Sequence, residues 1–257
     1  GFRMEIDGGV PDRQDIAFAG AQHVFDLSQA RCDVDSIALG ACGCDFETDV
    51  IGGNTFDYPA LHGRSVAAAG YSFCSASLKA VERGETTIGR GVQDPAFETF
   101  SPELQSVVGR YLADGGALFA SGAYVVSDLW AEEAPGEGRA FAEEVLHCAL
   151  DTGRAAESGR VRVVTAHKDF SRGEYRFNDE YRPDRSIVES PDALKSVGAA
   201  AFAVMRYVEN DRTAAVACEA QGRTFVVGFP FEAILSRTER DRLMRDALRF
   251  LLNENIK

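Results

Sequence analysis

One run of residues limits the possible folds more than any other: S-P-E-L-Q-S-V-V-G-R-Y-L-A-D-G-G-A-L-F-A-S, residues 101–121. Ser101 is placed to cap a helix and Pro102 suits its first position, where no backbone N–H is needed. Leu104, Val107, Val108, Tyr111 and Leu112 then recur at helical spacing and form one apolar stripe. Asp114-Gly115-Gly116 stops the helix, and Ala117–Ser121 follows as an unbroken apolar strand of the kind that is covered on both faces. Helix, tight stop and doubly buried strand together make half of an α/β unit.

The neighbouring segments extend this rhythm. A helix is expected over roughly Arg139 to Leu150, with Phe141, Val145, Leu146 and Ala149 on one side, and a strand over Val161 to Thr165. Three strand-like runs follow, A-F-A-V-M-R-Y, T-A-A-V-A-C and T-F-V-V-G-F, joined by polar turns that suit antiparallel connections. Ser236-Arg-Thr-Glu239 is a capping-box pattern opening a last helix with Leu243, Ala247, Leu248 and Leu251 on one face. Upstream, Arg64 to Phe73 reads as a short apolar strand, and Ser75 to Gly84 as a helix. Residues 1–60 are rich in Gly and Asp and read as an irregular extension packed on the core. No strand-like run is found between Gly84 and Ser101, where a parallel sheet needs one. The expected fold is a single α/β domain over 1–257, with a mainly parallel sheet and an antiparallel extension.

Composition excludes more than it identifies. With 45% hydrophobic and 26% charged residues in 257, the chain can bury a sizeable core. A net charge of -13 argues against nucleic acid and anionic lipid as partners. No apolar run is long enough for a membrane span, and G-F-R-M-E-I-D-G-G lacks the basic and apolar regions of a signal peptide. The six cysteines, at 32, 42, 44, 74, 148 and 218, show no C-x-x-C spacing, and Cys148 and Cys218 read as small buried hydrophobes. Asp33, Asp35, Asp45, Glu47 and Asp49 match no calcium loop and read as a solvated acidic face, so no metal is expected. I-G-R-G at Ile88 to Gly91 lacks the Lys-Ser/Thr of a phosphate loop, and no cofactor is expected.

Three blocks carry a family resemblance: G-G-N-T-F-D-Y-P-A-L-H-G (Gly52 to Gly63), S-G-A-Y-V-V-S-D-L (Ser121 to Leu129) and G-F-P-F-E (Gly228 to Glu232). They resemble blocks of secreted or cell-surface bacterial proteins labelled xanthan lyases, in a domain that is similar to class I glutamine amidotransferases. The resemblance implies a flavodoxin-like three-layer sandwich, an extracellular, cell-surface or periplasmic location, and polysaccharide or neighbouring domains of a longer chain as partners. It does not imply lyase chemistry, because genuine xanthan lyases are similar to large proteins built from a helical toroid and β-sandwiches.

Amidotransferase chemistry needs a thiolate at a strand-to-helix elbow, a His base and an orienting Glu. The elbow here reads Ser121-Gly122-Ala123, without Cys, and Pro230 stands where the resembled pattern has its His, so glutamine hydrolysis is not expected. Glu232 keeps the acid position, with entry into the first turn of the terminal helix as its structural role. Ser121 as nucleophile, with His167 or His62 as base and a carboxylate from Glu232, Asp57 or Asp128, is the candidate set for a serine-dependent hydrolase of a glycan or cell-wall amide or ester. Asp57 and His62 form a second His/carboxylate pair, and Tyr124 and Asp128, with Asp57 and His62, are candidate ligand-binding residues. Tyr58, Tyr71, Tyr124 and Trp130 are candidate sugar platforms. The expectation favoured is a non-catalytic domain binding carbohydrate or a protein partner.

Overall fold

The computed structural model describes residues 15–20, 23–26, 36–40, 57–77, 100–131, 134, 137–177, 188, 190–220 and 222–253, with side chains in 61–71 and from 100 onward. Among the described residues are twelve strands: β1 (Asp15–Gly20), β2 (His23–Asp26), β3 (Ser36–Gly40), β4 (Ser72–Ser77), β5 (Ala117–Ser121), β6 (Cys148–Thr152), β7 (Arg160–Val163), β8 (Glu174–Arg176), β9 (Ala193–Ser196), β10 (Ala201–Tyr207), β11 (Thr213–Cys218) and β12 (Arg223–Val227). The three longest helices are α1 (Asp57–Ala68), α2 (Pro102–Ala113) and α3 (Arg237–Leu252).

Local signals explain where α2 and α3 begin. Ser101 Oγ accepts the Leu104 N–H at 3.2 Å, with Pro102 behind it, and Ser236 Oγ accepts the Glu239 N–H at 3.3 Å. Side-chain alternation then sends β5 into two cores. Ala117 and Phe119 pack with Phe225, Val227 and the α3 residues Leu243, Ala247 and Leu248, whereas Leu118 and Ala120 pack with Leu104, Val108 and Leu112 of α2. Every residue of β5 is buried, as expected of a strand covered on both sides.

Ten strands form one sheet in the order β1-β4-β2-β3-β5-β12-β11-β10-β7-β8, and β6 and β9 form a separate antiparallel pair. β5 lies parallel to both β3 and β12, with Ser121 level with Gly40 and Val227. From β12 onward every pairing is antiparallel. At the other end β1 pairs with β2, β3 and β4, so the sheet curls on itself there.

This corrects the fold class. The expected α/β three-layer sandwich, mainly parallel and class I glutamine amidotransferase-like, is not what forms. Among the described residues seven pairings of the large sheet are antiparallel and four parallel, giving a curled mixed sheet with few helices and a satellite two-stranded sheet. The apolar strand Ala117–Ser121 fits either arrangement, because burial on both faces does not fix the direction of the neighbouring strands.

Smaller differences have local causes. Residues 15–40 supply β1, β2 and β3 to the sheet. Arg64 to Ala68, read as strand, completes α1, which buries His62, Ser65 and Val66 at i, i+3, i+4. The helix expected to reach Leu150 is short: a turn at Gly138–Ala140 becomes a π-helical turn, Phe141–Val145, and His147 adopts a left-handed φ of 57° that starts β6. The Ser75 to Gly84 helix falls on β4 as far as Ser77 and otherwise lies outside the described residues, as do Gly84 to Ser101 up to residue 99, the acidic cluster and I-G-R-G.

Candidate functional site

Parallel pairing brings the carboxyl ends of β5 and β12 side by side, and the Gly122 N–H extends the ladder by donating to the Val227 carbonyl at 3.1 Å. Past β12 the chain crosses Gly228-Phe229-Pro230 and makes a 3-10 turn, Phe231–Ala233. The Phe231 N–H donates to Ser121 Oγ at 3.3 Å. The next residue, Glu232, places Oε2 3.0 Å from Nε2 of His62, which projects from α1. The His62 ring packs against Phe231, with centroids 4.6 Å apart, and more distantly against Phe119.

Ser121, His62 and Glu232 therefore meet around Phe231, although 170 residues separate the His from the Glu. Contrary to the expectation from sequence, Glu232 does not enter the first turn of the terminal helix; it occupies its own turn ahead of the capping Ser236 and is held by an imidazole. The cluster is closed. Ser121 is 0% exposed, His62 1% and Glu232 7%, and Ser121 Oγ is engaged by a backbone donor. A nucleophile must reach both its base and a substrate carbonyl, and a hydroxyl walled in by Phe119, Phe231 and the two strand ends reaches no substrate in this conformation.

His167 does not join this group. Its Nε2 lies 3.2 Å from Glu219 Oε1, its Nδ1 3.6 Å from Asp169 Oδ2, and its ring stacks on Phe202. Glu219 also pairs with Arg223, which is level with Ala117, four residues back along β5 from Ser121. At the rise of a strand this puts His167 about 13 Å toward the opposite end of the sheet. Asp57 opens α1, five residues before His62, whose carboxylate partner is Glu232. Tyr124 is half-buried in the turn after β5 and Asp128 in the short helix Ser127–Trp130 that follows it, where the Asp128 N–H donates to the Tyr124 carbonyl at 3.3 Å. Trp130 is half-buried and Arg139 lies 5.9 Å over its ring.

Sequence reasoning passed over Asp192, which organises this end of the sheet. It is 0% exposed, and its Oδ2 accepts the N–H groups of Val126 and Ser127, each at 2.9 Å. Its backbone N–H donates to the Gly228 carbonyl at 2.7 Å, and its carbonyl accepts the Tyr207 hydroxyl at 2.7 Å. One residue thus ties the loop after β5, the exit of β12 and β10 to the start of β9. Burial raises its pKa to about 7, against the pull of the two backbone donors. Ser190-Pro191-Asp192 looks like an ordinary turn, and the only hint was a carboxylate directly before the apolar pair Ala193-Leu194.

Among the described residues no group of three or more His, Cys, Asp or Glu is placed to hold a metal ion, and no helix is long and apolar enough to cross a membrane. Cys148 and Cys218 are free and buried.

No family model and no curated protein matches the chain. Among solved structures it is similar to a cold-adapted β-galactosidase from Rahnella sp. R3 (12% identity, TM-score 0.47, 89% of this chain and 32% of that one). Further similarities are to a β-galactosidase from Bacillus circulans sp. alkalophilus (12%, 0.39, 58% and 21%) and the exo-β-1,4-mannosidase Op5Man5 from Opitutaceae bacterium strain TAV5 (13%, 0.38, 59% and 23%). All three are glycoside hydrolases, and the chain spans between about a fifth and a third of their lengths.

Proposed function

We propose that the chain is a non-catalytic module of a secreted or cell-surface polysaccharide-processing protein, and that it binds carbohydrate or a neighbouring domain. The observation that carries the reading is the closure of the Ser121–His62–Glu232 cluster. The side chains with the chemistry of a hydrolase are spent on joining α1 to the exits of β5 and β12. The blocks at Gly52 to Gly63, Ser121 to Leu129 and Gly228 to Glu232, with their resemblance to surface proteins, supply the polysaccharide setting.

The test combines binding with chemistry on the same preparation. Titration of a panel of neutral and anionic oligosaccharides by calorimetry is expected to find a ligand that is recovered intact after prolonged incubation. Stoichiometric labelling of Ser121 by a fluorophosphonate, or ester turnover that disappears in Ser121→Ala, would instead establish a serine hydrolase and overturn the proposal.

A further inference from the structure

The antiparallel strands β10, β7 and β8 bury one face and leave the other open. Val161, Tyr175, Met205 and Tyr207 point into the core, whereas Arg160, Arg162, Glu174, Arg176 and Arg206 occupy the outer positions. The register makes this unusual. Arg206 sits directly opposite Arg162, and Arg160 directly opposite Arg176. Like charges facing each other across a ladder are destabilising, so a sheet face built for stability alone would not repeat the arrangement on adjacent rows.

The fold offsets the repulsion only in part. Asp211, in a left-handed turn after β10 (φ 61°), bridges Arg162 and Arg206 at 2.6 Å each, and those two guanidiniums hold its carboxyl below the usual range. Glu174 pairs with Arg160 at 2.9 Å. Arg176 carries no ion pair among the described residues. Among the described residues four guanidiniums therefore face two carboxylates, an excess of positive charge on a molecule whose net charge is -13. All four cations are Arg, whose planar fork matches a carboxylate, and none is Lys. They remain in solvent, with Arg160, Arg162 and Arg206 exposed by 45, 50 and 39%.

We propose that this three-stranded Arg face is a docking surface for an anionic polysaccharide bearing carboxylates along its chain. Neighbouring strands are spaced by about 4.8 Å, close to the pitch of one sugar unit in an extended glycan, so a chain crossing obliquely from β10 through β7 to β8 passes Arg206, then Arg162, then Arg176, which lies two residues along β8 from Glu174, the direct partner of Arg162. Charge complementarity selects the occupant. A carboxylate at some or all sugars is attracted locally, while a nucleic acid, with its far denser phosphate charge, is repelled by the rest of an acidic molecule. The assignment rests on the proposed role as a polysaccharide-binding module and names the class of glycan.

The probes are polygalacturonate and its fully methyl-esterified, neutral form, titrated against the whole chain at low and moderate salt. The acid form is expected to bind, the ester not, and Arg162→Gln/Arg206→Gln is expected to weaken binding roughly tenfold. Arg162→Lys/Arg206→Lys keeps the charge and guards against misfolding; it should retain the thermal midpoint while losing part of the affinity. Equal binding of acid and ester, or binding untouched by the Gln pair, would overturn the Arg-face assignment and leave a glycan-binding module in place. Binding of a glutamate-rich peptide in preference to the polymer would transfer the face to a protein partner. Failure to bind any glycan in the wider panel would overturn the Arg-face assignment together with the carbohydrate-binding half of the proposed function.

Discussion

Asp192 offers the sharpest test of the structure, because its carboxylate is buried against two amide dipoles and no cation. A carboxyl whose folded pKa, about 7, exceeds its unfolded value of 3.8 binds a proton more tightly in the folded protein. Between those two values the folded state holds the proton and the unfolded chain has lost it, so stability falls as pH rises through the window and levels off above it. Three pH units at about 1.4 kcal/mol each give a ceiling of about 4 kcal/mol. Asp246, also raised by burial, acts in the same direction. His147, lowered by burial, opposes it near neutrality, and the lowered carboxyls of Asp151, Glu209 and Asp211 act only below about pH 4.5. Urea unfolding from pH 5 to 8 should therefore show wild-type stability declining by a few kcal/mol. Asp192→Asn, a neutral isostere that still accepts the Val126 and Ser127 N–H groups, should remove most of the slope and be no less stable than wild type at pH 8. A flat wild-type profile, or a slope unchanged in the Asn variant, would show that the carboxylate is solvated or paired in solution and refute the argument.

Two further outcomes follow from packing. Glu232→Ala removes the carboxylate that meets the buried His62 imidazole at 3.0 Å, which should cost about 1 to 3 kcal/mol in chemical denaturation; no measurable cost would mean the contact is open to water. Gly228→Ala should be poorly tolerated, since a Cβ there would fall against the Asp192 carbonyl, and the variant should lose several degrees in thermal midpoint as the strand exit and the β9 turn are forced apart.

Sequence patterns revealed those parts of the molecule whose causes are local. Ser101-Pro102 and Ser236–Glu239 announce α2 and α3 because a capping hydroxyl oxygen and the N–H that donates to it lie three residues apart. The turns after β10 and β11 announce antiparallel neighbours for the same reason. The end of α1 misleads because Val66, Ala67, Ala68 and Ala69 form an unbroken apolar run that resembles a buried strand, although Ala favours helix, and its helix packs against α3, where Ser65 Oγ donates to Asp241 at 2.8 Å. Which strands lie beside β5, and in which direction, depends on chain segments far away. The union of His62 with Glu232 is similarly invisible, because it requires α1 to lie across the exit of β12. Asp192 escaped notice because its role is set by three backbone partners rather than by its neighbours in sequence.

The pairing of β5 with β12 also sets an order of assembly. On a ribosome, the apolar strand Ala117–Ser121 emerges about a hundred residues before its parallel neighbour, a wait of roughly 5 to 20 s at ordinary synthesis rates. During that interval one edge of β5 is already occupied, since β3 is made earlier and aligns Gly40 with Ser121. The other edge stays open until Arg223–Val227 arrives, and α3, which covers Phe119, comes later still. The nascent chain therefore carries a half-paired sheet from the synthesis of Ser121 until Arg223–Leu252 arrives, and that segment is what pairs the open edge of β5 and covers Phe119.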